Sequence, residues 1–284
     1  MPEKYYSYTK IICEGVFIMA AAYKFAYYPG CTLSTTASEL DRFARLSAEV
    51  LGFSLEEIES WQCCGAVFPL AIDETAPKLS VVRALCKAKE KNLALVTLCS
   101  ACHHVFKQVN YQVRTDSGFR EALRAYDDGN PLEYSGDVEV LHYMEVLRDY
   151  IGFDELKKKV ANPLKGRKIG AYYGCMLLRP GEVLRFDDPE NPSVFEEFLT
   201  ALGAEPVRYP YRNECCGGYR TLKDKQKTQA MAERVISSPA GKGAGELITA
   251  CPLCQYNIDA LSGEKLPIYY FTEILAQALG VWNT

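Results

Sequence analysis

The chain has 284 residues, 48% of them hydrophobic and 24% charged, and its 32 Lys and Arg against 36 Asp and Glu give a net charge of −4. That length suits about two domains, and the mix is that of a globular protein rather than a disordered or fibrous one. The weakly acidic balance argues against nucleic acid or an anionic membrane surface as the main partner, and 12 cysteines are too sparse for a small disulfide-stapled scaffold.

Residues 11–22 are apolar apart from Glu14, with Lys4 and Lys10 ahead of them. This has the outline of a secretory signal, but Glu14 interrupts the apolar stretch. A start at Met19 is the plainer reading, because strand-like sequence begins at Tyr23. No other window offers the about 18 apolar residues that a membrane helix needs, so no membrane span is expected. The expected compartment is the reducing cytoplasm, where thiols bind metal more often than they pair. Further along, residues 25–28 read as a short buried strand and Ser38–Leu51 as an amphipathic helix stopped by Gly52. Residues 77–91 read as a helix, 93–98 as a strand covered on both faces, and 103–113 as another helix. A linker is expected over 157–167. The order then repeats, with strands at 169–172 and 246–249. Strands alternating with helices imply parallel βαβ units. The expected organisation is an N-terminal extension (1–22), a first domain (23–160) and a second (161–284), two α/β lobes related by a pseudo-twofold axis.

The cysteines carry the signature of a duplication. The first half holds Cys31, Cys63-Cys64 and Cys99-Ser-Ala-Cys102; the second holds Cys175, Cys215-Cys216 and Cys251-Pro-Leu-Cys254. Cys64 to Cys99 and Cys216 to Cys251 are each 35 positions, while Cys31 to Cys63 is 32 against 40 for Cys175 to Cys215. The excess falls in the Pro-rich stretch 179–192. The flanks match as well: Tyr28 falls on Tyr172, Gly65 on Gly217, Glu145 on Glu273 and Gly152 on Gly280. About two dozen additional residues, around 118–137, precede the closing segment of the first half.

Cys31, Cys99, Cys175 and Cys251 fall where strands run out, and open α/β sheets place ligand sites at those ends. Cys99 and Cys251 each open a Cys-x-x-Cys at a helix start, where N–H dipoles stabilise thiolates. Five thiols per half exceed the four of a structural zinc or of an ordinary four-iron cubane. Adjacent cysteines are awkward ligands for one small ion but can reach different irons of one cluster.

The double pattern of Cys, Cys-Cys-Gly and Cys-x-x-Cys resembles the paired cysteine-rich CCG domains of the heterodisulfide reductase B-type subunits. The segments 27–33, 187–192 and 251–255 resemble the bacterial members of that family. The resemblance runs from Tyr23 to the C-terminus. It implies two non-cubane [4Fe–4S] clusters, one on Cys31, Cys63, Cys64, Cys99 and Cys102, the other on Cys175, Cys215, Cys216, Cys251 and Cys254, with no catalytic residues beyond these ligands. It implies reduction of a disulfide, of the coenzyme M–coenzyme B kind or an analogue, by single electrons from each cluster. The sequence has no ferredoxin-like Cys-x-x-Cys-x-x-Cys-x-x-x-Cys-Pro segment. The resemblance therefore implies a C-type ferredoxin partner and an A-type flavin partner, in a flavin-based electron-bifurcating assembly.

Two other readings stand beside it. The chain relays electrons to an enzyme such as a methylenetetrahydrofolate reductase or an aromatic-ring reductase module, with no disulfide substrate; or it is a structural zinc protein, which five cysteines fit badly. Cys13 and Cys86 lie outside the pattern, and Cys86 reads as a packed free thiol. His103 and His104 read as packed or solvated helix-start residues rather than proton donors. His142 falls on Tyr270 in the repeat and reads as packing, Arg179 as either an anion contact or a loop ion pair, and residues 223–227 as a solvated helix face.

Overall fold

The computed structural model describes residues 6–13, 16–66, 75–126, 134–263 and 266–283, with side chains from Tyr23 onward. The chain opens with β1 (Tyr6–Cys13) and β2 (Val16–Tyr28), an antiparallel pair in which Tyr6 lies opposite Tyr23. The strand expected at 25–28 is thus the end of a longer one that passes through position 19 unbroken. Cys13 lies on β1, outside the residues whose side chains are described.

Next come α1 (Ser38–Leu51) and β3 (Phe53–Glu57). Helix α1 has the predicted bounds because its apolar stripe, Leu40, Phe43, Ala44, Ala48 and Leu51, recurs at helical spacing, and because Gly52 takes φ +82° and returns its N–H to Ala48 and Glu49. A single 3-10 turn (Ala76–Lys78) leads into α2 (Leu79–Glu90), so the predicted helix begins two residues late, behind Pro77. Strand β4 (Leu95–Thr97) is fully buried. Helix α3 (Ser100–Thr115) starts before His103, and takes in Cys102 in its first turn. Helix α4 (Ser117–Ala125), part of the extra segment of the first half, is capped by the Asp116 carboxylate. The rest of that segment falls partly outside the described residues. Strand β5 (Val140–His142), the short turn α5 (Tyr143–Glu145), a π-helical turn (Val146–Ile151) and α6 (Phe153–Lys159) complete the first half.

The second half runs β6 (Lys168–Tyr172), α7 (Gly181–Leu184), α8 (Val194–Ala201), β7 (Glu205–Val207), α9 (Lys225–Ala240), β8 (Glu246–Thr249), α10 (Pro252–Leu261), β9 (Ile268–Tyr270) and α11 (Phe271–Leu279). Its sheet is fully parallel in the order β7-β6-β8-β9; the first sheet has the parallel order β3-β2-β4-β5 with β1 added antiparallel to β2. The register repeats too: Tyr28 lies opposite Thr97, and Tyr172 opposite Thr249. The fold class is therefore α/β with two pseudo-symmetric sheets, as the duplication predicts.

The halves are not separately cored. One continuous cluster of buried side chains takes in Phe25, Leu85, Phe106 and Leu147 from the first half and Ile169, Phe195, Phe271 and Ile274 from the second; a smaller cluster around Tyr172, Val235 and Ile258 lies wholly in the second. Helix α11 packs on α1, where Thr272 Oγ1 donates to Leu40 O at 2.9 Å and Trp282 stacks on Phe43 at 4.4 Å. At the seam Ser100 gives both its N–H and its hydroxyl to Ala250 O, at 3.0 and 2.8 Å. Its repeat partner is Pro252, which has no N–H to return. The Tyr270 hydroxyl takes that place, 2.6 Å from Leu98 O and 3.0 Å from Ala250 O.

A shared core makes the two halves one cooperative unit. Urea unfolding is expected to give a single transition with coincident fluorescence and circular dichroism. Tyr270→Phe is expected to lower its stability by about 0.5–1.5 kcal/mol, because one hydrogen-bond donor is lost while His142 and Ser100 still serve the two carbonyls. Two separable transitions in the wild type would contradict the shared core.

Candidate metal centre

In each sheet the strand order reverses between the first strand and the third, β2 and β4 in one, β6 and β8 in the other. Loops leaving such neighbouring strands diverge and open a crevice at their carboxyl ends. Cys31 and Cys99 sit on the two loops of the first crevice, Cys175 and Cys251 on those of the second. Cys99 and Cys251 are the extended residues just ahead of α3 and α10, and Cys102 and Cys254 lie in those helices' first turns. The Cys63-Cys64 and Cys215-Cys216 pairs come in from the segments after β3 and β7.

The thiols meet in pairs. Cys31 and Cys63 Sγ are 3.7 Å apart, Cys64 and Cys102 3.3 Å, and Cys216 and Cys254 3.3 Å. Cys175 lies close enough to Cys215, and Cys99 to Cys251 across the seam, for each pair to shift one another's protonation. All ten predicted cysteines are thus gathered into two sets that touch at the pseudo-axis. Among the described residues no three His, Cys, Asp or Glu side chains form a single-ion site. A pocket of about 160 Å³ opens over the first set and is lined by Cys31, Cys63, Cys64, Cys99, Cys102 and, from the other half, Leu253. Cys31 and Cys63 face outward, whereas Cys64, Cys99 and Cys102 are buried.

Crowding sets the protonation. Hydrogen bonding with Cys102 and Cys63 draws the Cys64 thiol down to about 4, while both partners are pushed up, by that same bonding and by burial. In the second set Cys215 is drawn down to about 3 by Cys175 and Cys216. Cys216 is pushed up to about 11 by its bonding to Cys215. Five neighbouring thiols cannot all ionise unless cations sit among them. The donor chemistry fits iron, for which thiolates are the usual cluster ligands.

The backbone is cut to the sulfurs. Gly30 has φ +78°, and a Cβ there would come within 3.0 Å of Cys102 Sγ. Gly217, at φ +79°, turns the chain so that its N–H donates to Cys215 Sγ at 3.3 Å; Gly65 does the same for Cys63 at 3.5 Å.

Two site residues escape the sequence reading. Tyr28 donates its hydroxyl to Gln62 O at 2.7 Å, and Tyr172 donates to Glu214 O at 2.8 Å. Each carbonyl immediately precedes a double cysteine, so each buried ring ties a Cys-Cys segment to the strand that ends three residues before Cys31 or Cys175. Their coincidence in the repeat alignment is the signal that could have found them.

The histidines and Arg179 are structural. His103 is fully buried, with Nε2 3.0 Å from Glu145 Oε2, and burial lowers its pKa. His104 Nδ1 lies 3.2 Å from Met176 O, across the seam and beside Cys175. His142 accepts the Met144 N–H on Nδ1, which leaves the Nε2 proton for Leu98 O at 2.7 Å; burial holds it neutral, with its pKa down to about 3. His142 and its repeat partner Tyr270 both stand at helix starts, with the Glu145 and Glu273 carboxylates returning to their N–H groups at 2.7 and 2.6 Å. Arg179 binds Asn213 O at 2.8 Å and pairs with Glu190 at 2.9 Å, clamping the inserted loop to the segment ahead of Cys215. Cys86 packs half-buried against the core. Residues 223–227 are mostly exposed.

Both the cysteine-rich sequence and the fold have counterparts among known proteins. The cysteine-rich domain family CCG matches residues 25–107 and 169–259, and the chain belongs to that family, in the branch that holds the heterodisulfide reductase B-type subunits. It is 33% identical over 267 residues to the 8-methylmenaquinol:fumarate reductase membrane anchor subunit of Wolinella succinogenes, covering 91% of this chain and 93% of that one. It is 23% identical over 269 residues to the B-type subunit of the ferredoxin/F420H2-dependent CoB–CoM heterodisulfide reductase of Methanosarcina acetivorans, covering 90% and 89%. A protein of Archaeoglobus profundus that is itself like the heterodisulfide reductase B-type subunits is also 23% identical, over 271 residues, 90% and 91% of the two chains. A crystal structure of a hypothetical protein from Helicobacter pylori shares the fold with a TM-score of 0.66 at 10% identity, over 99% of this chain and 52% of that one. Among the described residues of this chain no helix is long and apolar enough to cross a membrane.

Exposure orders the thiols chemically. In metal-free protein, a short pulse of iodoacetamide is expected to label the exposed Cys31 ahead of the buried Cys99, Cys102 and Cys251, read by peptide mass spectrometry. Equal labelling of Cys31 and Cys99 would contradict the packing.

Proposed function

We propose that the chain is the iron–sulfur subunit of a heterodisulfide reductase-like oxidoreductase, with two non-cubane [4Fe–4S] clusters. One is held by Cys31, Cys63, Cys64, Cys99 and Cys102, the other by Cys175, Cys215, Cys216, Cys251 and Cys254. The observation that carries the reading is the gathering of the ten thiols at two sets of strand ends, with thiol contacts of 3.3 to 3.7 Å within them, whose backbones Ser100 and Tyr270 join at one seam. Thiols spread in pairs around a crevice suit a multinuclear cluster better than a single tetrahedral ion, which wants four donors at one point.

The clusters, when bound, supply single electrons. The reaction proposed is the two-electron reduction of a disulfide: the S–S bond breaks, one electron goes to each sulfur, and two protons from water give two thiols. The protein's part is to hold the two thiol sets face to face, through the Ser100, Tyr270 and His142 bonds to the strand-end carbonyls, and to keep one crevice open. Its domains in this reading are 23–160 and 161–284 after the extension 1–22. The backbone supports the boundary: Ala161 and Asn162 bond to Ala278 O, and Leu164 to Leu202 O. A separate ferredoxin subunit, fed by a flavin subunit in an electron-bifurcating assembly, is the proposed electron source.

A second reading is favoured by the Wolinella relative, whose name contains a quinol and fumarate and no disulfide. The chain would then pass electrons within a larger complex without a disulfide of its own.

Anaerobically purified protein is expected to carry about eight irons and eight sulfides per chain, the total of two four-iron clusters. Cys64→Ala is expected to remove about half of that iron, from the first set. About two zincs and no sulfide would overturn the proposal. A heterodisulfide that alters the EPR spectrum of the oxidised protein favours the disulfide chemistry; an unaltered spectrum favours the relay.

A further inference from the structure

An exposed apolar and basic patch directly follows the second double cysteine in the chain. After Cys216 the chain turns through Gly217 into a single 3-10 turn, Gly218–Arg220. Thr221 Oγ1 bonds Asn257 Oδ1 at 3.0 Å, and Asn257 Nδ2 donates to Cys216 O at 2.7 Å. The turn is thereby fastened to α10, the helix that carries Cys254. On the outside of this joined unit stand Tyr219 at 50% exposure, Tyr256 at 72% and Leu222 at 104%. Large apolar side chains exposed on adjoining elements mark an interaction surface more often than isolated ones do, and tyrosines are favoured anchors at protein interfaces.

The surrounding charge points to the partner. Between Tyr219 and Lys227 the chain carries Arg220, Lys223, Lys225 and Lys227 against a single carboxylate, Asp224. That carboxylate is occupied, accepting the Lys227 N–H at 3.1 Å as the cap of α9 and lying 3.4 Å from Lys227 Nζ. None of Arg220, Lys223 and Lys225 forms an ion pair among the described residues. Helix α10 adds one charge, Asp259. On a chain of net charge −4 this is a local positive field, which steers acidic surfaces toward it. Exposed side chains of this size suit a protein face. Only one turn of chain separates it from Cys215 and Cys216.

We propose that the patch formed by Tyr219, Leu222 and Tyr256 with Arg220, Lys223 and Lys225 docks an acidic iron–sulfur electron carrier and admits electrons at the second thiol set. This rests on the cluster reading above. Cys175, Cys215, Cys216, Cys251 and Cys254 would hold the accepting cluster; with it bound, each encounter would oxidise the carrier by one electron and reduce this chain by one, with no bond made or broken.

The test uses the full chain, purified anaerobically, with an acidic bacterial two-cluster ferredoxin as the probe. Binding is followed by biolayer interferometry at low and high salt, and electron transfer by stopped flow with the reduced ferredoxin. The wild type is expected to bind, and to bind more weakly at high salt. Lys223→Glu with Lys225→Glu, and separately Leu222→Ser with Tyr256→Ser, are each expected to weaken binding and slow ferredoxin-driven reduction by about tenfold. Iron content, and reduction by the small reductant dithionite, should match the wild type in both variants. Lys159→Glu, on α6, should change nothing. A wild type that holds its iron but fails to bind the ferredoxin overturns the docking surface and leaves the cluster reading intact, as does binding that both variants leave unchanged. Salt-sensitive binding by a chain that holds no iron keeps the surface and overturns the cluster reading.

Discussion

Thiolates repel one another, and the structure is organised around bringing five of them together twice. Left without cations, each set can ionise only in part: Cys64 and Cys215 become acidic because their neighbours keep their protons. The fold meets this with rigid delivery. Strand ends fix Cys31 and Cys175, helix starts fix Cys99, Cys102, Cys251 and Cys254, and tyrosine tethers fix the double cysteines. Helix N-termini add N–H groups that favour negative sulfur. A site spread over three chain segments keeps its geometry only if those segments cannot slide, and both sheets share one strand register.

The same constraint explains the seam. Cys99 and Cys251 meet because the two sheets present equivalent strand ends to one another, and polar groups fill what would otherwise be orphaned carbonyls. Leu98 O receives His142 and Tyr270; Ala250 O receives Ser100 and Tyr270. Perfect symmetry is impossible once Pro252 replaces an N–H donor, and Tyr270 bridging both carbonyls is the repair. Burying these groups without partners would cost on the order of 1–3 kcal/mol each. The seam is therefore as much a polar network as an apolar interface, and it joins directly to the core that runs from Phe25 to Phe271.

Much of this is legible in the sequence because it is carried by local pattern or by repetition. The bounds of α1 follow from its stripe and Gly52, and the ten cysteines follow from the duplicated spacing. Helix α3 reads three residues short because Ser100, Ala101 and Cys102 carry no helical periodicity of their own; the start is set by Cys99 and by Ser100 bonding across the seam. Tyr28 and Tyr172 are hidden among 19 tyrosines, since only a contact 34 or 42 residues away distinguishes them. The shared core is hidden for the same reason: spacing within each half reports a sheet, not what its outer helices lean against. Arg179 has two readings in the sequence, and only the Asn213 and Glu190 contacts decide for the loop clamp.

The two halves repeat one cysteine pattern, yet their crevices are unlike. The first opens outward, with Cys31 and Cys63 at the surface. Beside the second lies the loop of residues 179–192, held down by Arg179 and by Arg212, whose Nη2 donates to Asn191 at 2.7 Å. Cys175 and Cys215 are accordingly half-buried where their counterparts are exposed. Burial and hydrogen bonds to sulfur are the quantities by which a protein tunes an iron–sulfur centre. Two centres in these crevices would therefore differ in solvent exposure although their ligands are the same in kind and number. An open crevice lined by five thiols and a more covered one therefore stand side by side, joined at the seam where Ser100 and Tyr270 hold the two strand ends together.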